Sequence, residues 1–310
     1  MKASTLQWKR QCEVVVGQAG RGLSIQDLRI YFKVEKSLAR VPNTALIKIY
    51  NLTQAHENQI RDEFDDVLVN AGYEGAALLV FRGNIRHVFR YRDGNDQITE
   101  IDAADGDRDF RKTILNFTLA AGSSTSQLLD QVVAKFTTTK KGHAVVKDRK
   151  RLRGRVVTGM ARDVLDEIAQ DSDAHWSIQN GVLEIVPADS TLPTEAIVLR
   201  SDTGLLGAPE IDDKGITATC MLNPRIRVNG KIWLDNNDLK AKIQKELETK
   251  PGARKVKTTK HRGVLARLDP DGVYKVIKIE HEGDTRSNTW STQVTCVSLG
   301  HPIPPTKKAA

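Results

Sequence analysis

Seven histidines and three groups of acids are the side chains best suited to chemistry in this 310-residue sequence. The histidines are His56, His87, His143, His175, His261, His281 and His301. No two stand three or four apart and no HExxH run occurs, so a helical zinc site has no support. The acids gather at Glu63-Phe64-Asp65-Asp66, from Asp102 to Asp109, and at Asp171-Ser172-Asp173. Paired carboxylates can hydrolyse glycosides, and their separation sets the stereochemistry. Acids are also common at turns, and a sequence gives no separation in space. Asp105-Gly106-Asp107 opens like a calcium loop but lacks the acid that an EF-hand carries at its twelfth position, so it reads as a turn. Gly17-Gln18-Ala19-Gly20 and Gly204-Leu205-Leu206-Gly207 are too short for a phosphate loop and lack GK[ST], and no GxSxG occurs. Cys12, Cys220 and Cys296 are odd in number and far apart, the pattern of buried thiols and not of a disulfide framework or metal site. His281, Trp290 and Trp176 read as packing. No catalytic, cofactor-binding or metal-binding residue is assigned, and no cofactor is expected.

The elements around these residues are mostly strands. Leu28, Ile30, Phe32 and Val34 alternate with polar residues, and Ala45 to Tyr50 forms a second strand; Val67–Val69, Ala77–Phe81 and Arg86–Tyr91 follow, divided by Gly72, Gly75, Gly83 and Asp93-Gly94. A short helix from Thr53, its N-cap, to Glu63 interrupts them. After Asp107 the pattern changes. Ser124-Thr125-Ser126-Gln127 fits a capping box and opens a helix with Leu128, Leu129, Val132, Val133 and Phe136 on one face. A second helix after Thr158 presents Met160, Ala161, Val164, Leu165 and Ile168. Asn180-Gly181 is the preferred pair for a type I′ hairpin, which pairs Ile178 with Leu183 and Trp176 with Ile185, leaving His175, Ser177 and Glu184 on the other face. Strands return at 196–199, 216–222 and 227–234, and a helix is expected over 239–247. A final hairpin runs Val273, Lys275, Ile277, Ile279, His281 on one arm and Trp290, Thr292, Val294, Cys296 on the other, with its turn at 283–288.

Composition is that of a globular protein, with 39% hydrophobic and 28% charged residues. No run approaches the ~18 apolar residues of a membrane span, and Met1 to Arg10 lacks the apolar core of a signal peptide. The net charge of +8 is concentrated in two places. Residues 140–155 carry eight Lys/Arg against Asp148, and residues 236–262 carry nine against three acids. Neither stretch contains an aromatic residue for stacking on bases, so both read as solvated loops or as patches meeting an acidic partner.

Several phrases, in order, resemble a family of phage tail proteins that serve as baseplate hubs. They are Ile47-Lys48-Ile49-Tyr50-Asn51-Leu52, Ala71-Gly72-Tyr73, Phe81-Arg82-Gly83-Asn84-Ile85, Asp105-Gly106-Asp107 with the helix and Trp176 hairpin, Val273-Tyr274-Lys275-Val276, His281-Glu282-Gly283-Asp284-Thr285 and Trp290-Ser291-Thr292. With the strand pattern, the resemblance implies an α+β, mainly β fold in which two tube-like β-barrel or sandwich domains flank a small α/β module. The expected boundaries are 1–105, 106–200 and 201–300, with a basic insertion at 236–262 and a flexible tail at 301–310. It implies a structural subunit of a contractile tail, not an enzyme. A homotrimer would link the six-fold tail tube to the three-fold central spike in the virion baseplate, after assembly in the bacterial host cytoplasm. Tail tube proteins and the spike protein are the expected partners; no membrane is involved, and DNA only passes through the central channel. Some such hubs carry a wall-cutting domain, for which this sequence has no spare segment. The alternative is a tail-associated protein that binds or degrades cell wall.

Overall fold

The computed structural model describes residues 9–18, 21–211, 215–235 and 272–299. The helix expected at 239–247, the basic stretch 236–262 and the tail 301–310 lie outside them. Strands β1 (Arg10–Gln18), β2 (Arg21–Ile25), β3 (Ile30–Ser37) and β4 (Thr44–Tyr50) come first. Helix α1 (Gln54–Asp62) follows, then β5 (Asp66–Tyr73), β6 (Leu78–Asp93) and β7 (Asp96–Ala104). The middle of the chain holds α2 (Asp107–Lys112), β8 (Ile114–Leu119), α3 (Thr125–Val133), β9 (Lys140–Ala144), β10 (Arg155–Met160), α4 (Ala161–Asp171), β11 (Ala174–Ile178) and β12 (Val182–Pro187). The last strands are β13 (Ile197–Leu199), β14 (Leu205–Ile211), β15 (Ile216–Met221), β16 (Lys231–Leu234), β17 (Val273–Asp284) and β18 (Trp290–Ser298). The fold is α+β and mainly β, as the strand pattern predicts.

One sheet of 13 strands contains both strand-rich regions, in the order β14-β15-β18-β17-β3-β4-β7-β6-β5-β1-β2, with β16 also on β17 and β13 on β16. The two regions meet at β17. Its first residues, Val273 to Lys275, pair with β16, and Lys278 to Asp284 pair with β3. Period-two alternation drives the N-terminal half. Ile30, Phe32 and Val34 of β3 and Ile47 and Ile49 of β4 are buried in one cluster with Val14, Val69, Phe81 and Trp290. Because β1 and β5 share that core with β3 and β4, the sheet curls over on itself. It does so as a sandwich and not as the closed barrel that was the other expected form; among the described residues β2 and β14 end the sheet. A second cluster gathers Ile216, Cys220, Tyr274, Val276, Ile279, Val294 and Cys296. The third belongs to the middle of the chain, where Leu128, Leu129, Leu165, Ile168, Trp176 and Ile185 pack together.

Local signals account for much of this. Thr53 caps α1 by accepting from the His56 amide, and Ser124 and Gln127 form the expected reciprocal capping box on α3. The hairpin turns at Asn180 (φ 56°) and Gly181 (φ 77°), both left-handed as a type I′ turn requires. It pairs Ile178 with Leu183 and Trp176 with Ile185.

Four expectations are corrected. Gly83 does not divide two strands; β6 runs through it, because the Ala104 carbonyl and the Phe81 ring crowd within 2.6 Å of where a side chain would start. Residues 227–230 form no strand, with a turn at Val228-Asn229, and only Lys231–Leu234 is strand. Lys140–Ala144, expected in a solvated loop, is a strand parallel to β12. Simple alternation along β17 fails, since a bulge between Val276 and Lys278 shifts the register and puts Tyr274 and Val276 in the core with Ile279.

Candidate functional site: a buried polar junction and an open sheet face

Six of the nine acids singled out in the sequence, Asp65, Asp66, Asp105, Asp107, Asp109 and Asp173, are held by structural partners. Asp109 accepts five hydrogen bonds from the amides of Thr137, Thr138 and Thr139 and the hydroxyls of Thr137 and Thr138, at 2.7–2.9 Å. Burial pushes its carboxyl up, but those donors outweigh burial and hold it below the usual range. Asp107 pairs with Arg86 at 2.5 Å and Arg111 at 3.5 Å. Asp65 accepts from Gln18 and Arg108, Asp66 from Asn84, and Asp173 pairs with Lys147. Among the described residues, no three of His, Cys, Asp and Glu come together as metal ligands would. His281 is buried, bonded through Nδ1 to the Thr292 hydroxyl at 2.8 Å, and desolvation drives its pKa down to about 3. Trp290 packs edge-on against Phe32, with ring centres 5.6 Å apart. Cys12, Cys220 and Cys296 are free, buried thiols whose pKa values burial raises. No helix among the described residues is long and apolar enough to cross a membrane.

What the Asp105 turn does was not visible in the sequence. Asp105 is fully buried and accepts from the amides of Asn180 and of Gly181, the latter at 2.8 Å. It therefore ties the tip of the β11–β12 hairpin to the end of β7. Asn43 adds its amide to the Ile178 carbonyl at 2.7 Å and to Gln179 at 3.1 Å. The buried Lys36 donates to Asn180 Oδ1 at 2.8 Å. Burial raises Asp105 to about 6 and lowers Lys36 to about 8, and in each case the charge of the other opposes the shift. The same hairpin is gripped from the C-terminal region. The buried Lys275 donates to the carbonyls of Pro187 (3.0 Å) and Ala188 (3.2 Å), and Arg227 pairs with the buried Glu184 at 2.6 Å. The hairpin face carrying Ser177 and Glu184 is thus buried. This polar junction locks the helical module to both strand-rich regions. Lys36, Asn43, Arg227 and Lys275 escaped the sequence reading, and the only trace was a lysine in the otherwise apolar pattern of β17.

The second feature is the outward face of the long sheet. Alternate residues project from it: Tyr31, Lys33 and Glu35 of β3, Lys48 and Tyr50 of β4, Glu100 of β7, and Glu280 and Glu282 of β17. Cross-strand pairs cover it, with Lys33–Glu280 at 3.0 Å, Lys48–Glu100 at 3.3 Å and the Tyr31 hydroxyl donating to Glu282 at 2.9 Å. Arg29 pairs with Asp284 at 2.8 Å and lies 4.4 Å from the Tyr50 ring centre. The face also carries Leu46 of β4 beside Lys33, and the exposed Phe89 and Tyr91 of β6 opposite Glu100 and Ile98, so charged pairs and apolar side chains share it.

The architecture is thus a curled sheet spanning two strand-rich regions with a helical module pinned to both. The chain belongs to the family described as "Baseplate hub gp41", whose model matches residues 12–238. It is a structural component of a phage tail baseplate. Solved structures share the fold at low identity. The tail protein of Neisseria meningitidis MC58 superposes with a TM-score of 0.61 at 10% identity, covering 94% of this chain and 98% of that one. The 43 kDa tail protein of prophage MuSo2 from Shewanella oneidensis gives 0.59 at 10% identity, over 93% and 98%. The E. coli c3393 protein gives 0.54 at 8% identity, over 89% and 77%. It is described as a type VI secretion component structurally similar to the T4 tail proteins gp27 and gp5. No curated protein matches the sequence.

Proposed function

We propose that this chain is the hub subunit of a contractile tail, a homotrimer on the tail axis joining the six-fold tail tube to the three-fold central spike. The carrying observation is the continuity of the sheet from β14 to β2 through the β17–β3 seam. In this reading residues 1–105 and 201–300 act as two lobes of one sheet, with 106–200 as the module outside them. Three chains then offer six lobes to the tube while keeping three-fold symmetry toward the spike. Strand β2, which ends the sheet among the described residues, supplies an edge for pairing between neighbouring copies. The face bearing the Lys33–Glu280 and Lys48–Glu100 pairs turns toward the channel through which the tape measure and DNA pass. The structural partners held by six of those nine acids support a role without catalysis. The proposed location is the virion baseplate, after assembly in the host cytoplasm.

The test is reconstitution with the spike and tube proteins of the same phage, read by native mass spectrometry. Three copies of this chain per spike trimer are expected. A stable complex with one or six copies per spike would remove the symmetry-matching role.

A further inference from the structure

Strands β8 and β10 form a ribbon that pairs with no third strand among the described residues. One face is covered, since Leu115, Leu119 and Val157 pack with residues of α3 and α4. The other is bare. The register sets Ile114 opposite Met160, Asn116 opposite Thr158 and Thr118 opposite Val156, six side chains without a charge. Ile114 is 71% exposed and Val156 65%, and Leu152, just before β10, is 95% exposed. Solvent-facing edge strands usually carry a lysine, a proline or a bulge that blocks pairing by another chain. β8 reads Ile-Leu-Asn-Phe-Thr-Leu and has none of these. A two-stranded stub of this kind is marginal alone and is a ready template for strand addition.

Charge indicates what adds to it. The segment entering β10 is the basic run noted in the sequence, and only part of it is neutralised. Lys147 pairs with Asp173, and Arg151 and Arg155 share Glu167. Asp148, the acid of the run, accepts from the Ser126 amide. Arg149, Lys150 and Arg153 are exposed and make no ion pair among the described residues. They flank the Leu119–Arg155 end of the ribbon, where the bridge from Ser124 to Lys150 holds the run beside it. We infer that the β8–β10 ribbon is a docking site for an acidic, extended segment of another tail protein. That segment adds as a third strand along β8 and lays its acids against Arg149, Lys150 and Arg153. The site is separate from the tube and spike contacts proposed above and does not require the trimer.

The full-length protein is titrated with a labelled peptide of alternating glutamate and valine, and with a lysine–valine peptide of equal length. Fluorescence anisotropy reports binding, and amide hydrogen exchange reports protection of residues 114–119. The expected result is at least about tenfold tighter binding of the acidic peptide, near 1.4 kcal/mol, with slowed exchange across β8. Ile114→Glu, at an exposed position, and the double change Arg149→Glu with Arg153→Glu should each weaken binding by about tenfold at an unchanged Tm. Equal affinity for both peptides, or binding that leaves 114–119 unprotected, would overturn the inference. Self-association of the protein that Ile114→Glu abolishes would also overturn it, since the occupant would then be a second copy. None of these readouts depends on how many chains surround the spike.

Discussion

Asp105 sits where three segments meet, closing β7 and holding the hairpin tip through two amides while facing Lys36 across Asn180. Replacing it with alanine leaves two part-buried amides without their acceptor and the buried Lys36 without its facing charge, so Asp105→Ala should cost about 3–5 kcal/mol in urea unfolding. Asp105→Asn keeps one acceptor and should cost clearly less. The pH dependence has a definite sign. Burial raises the folded pKa to about 6 from the ordinary 3.8, so the folded state binds a proton that the unfolded chain has already released. The contribution of Asp105 is complete below the unfolded value and is lost as pH rises through the folded one. Between pH 4 and 6 the gap in stability between wild type and Asp105→Asn should therefore change by up to about 1.4 kcal/mol per pH unit, in favour of the wild type at the acid end. A gap independent of pH would mean that Asp105 is not buried as described. The sequence marked Asp105 as a turn residue but could not show its partners, because Lys36 and Asn180 are far from it along the chain.

At the scale of elements, what could be read was local. The capping box at Ser124 and the Asn180-Gly181 turn depend on residues within four positions of each other, and both form as read. Trp176 packs 6.1 Å from Phe110 and donates from Nε1 to Asp166 at 2.7 Å. Trp176→Ala should lower stability by about 3–5 kcal/mol, measured by thermal unfolding, as aromatic truncation in a core does. Gly83 was misread because a glycine between apolar runs looks like a turn. Here it allows the Ala104 carbonyl and the Phe81 ring to approach β6. Gly83→Ala should accordingly destabilise by roughly 1–3 kcal/mol. A neutral effect in calorimetry would show that β6 bends away from β7 at that point. The bulge in β17 was invisible for a related reason. Period-two reading assumes an unbroken ladder, and the extra residue near Ile277 is set by β18 and β3 across it.

On the scale of the whole molecule, the mainly β class was legible from composition and alternation, while the joining of both strand-rich regions in one sheet was not. The seam pairs Val34 with His281 and Phe32 with Gly283, contacts spanning most of the chain. Gly283 is glycine at this seam because the Phe32 and Trp290 rings lie within 2.8 Å of where its side chain would begin, so the seam closes with those rings packed edge-on in the first core. A hub requires this continuous sheet to lie around the tail axis. The most direct measurement is an electron cryomicroscopy reconstruction of the assembled baseplate, computed without symmetry imposed on the hub layer. The prediction is three copies of the chain around an open axis, with the face bearing Lys33, Lys48 and Glu280 turned toward it. A map that places the chain away from the axis, or turns that face outward against other subunits, would contradict the hub reading.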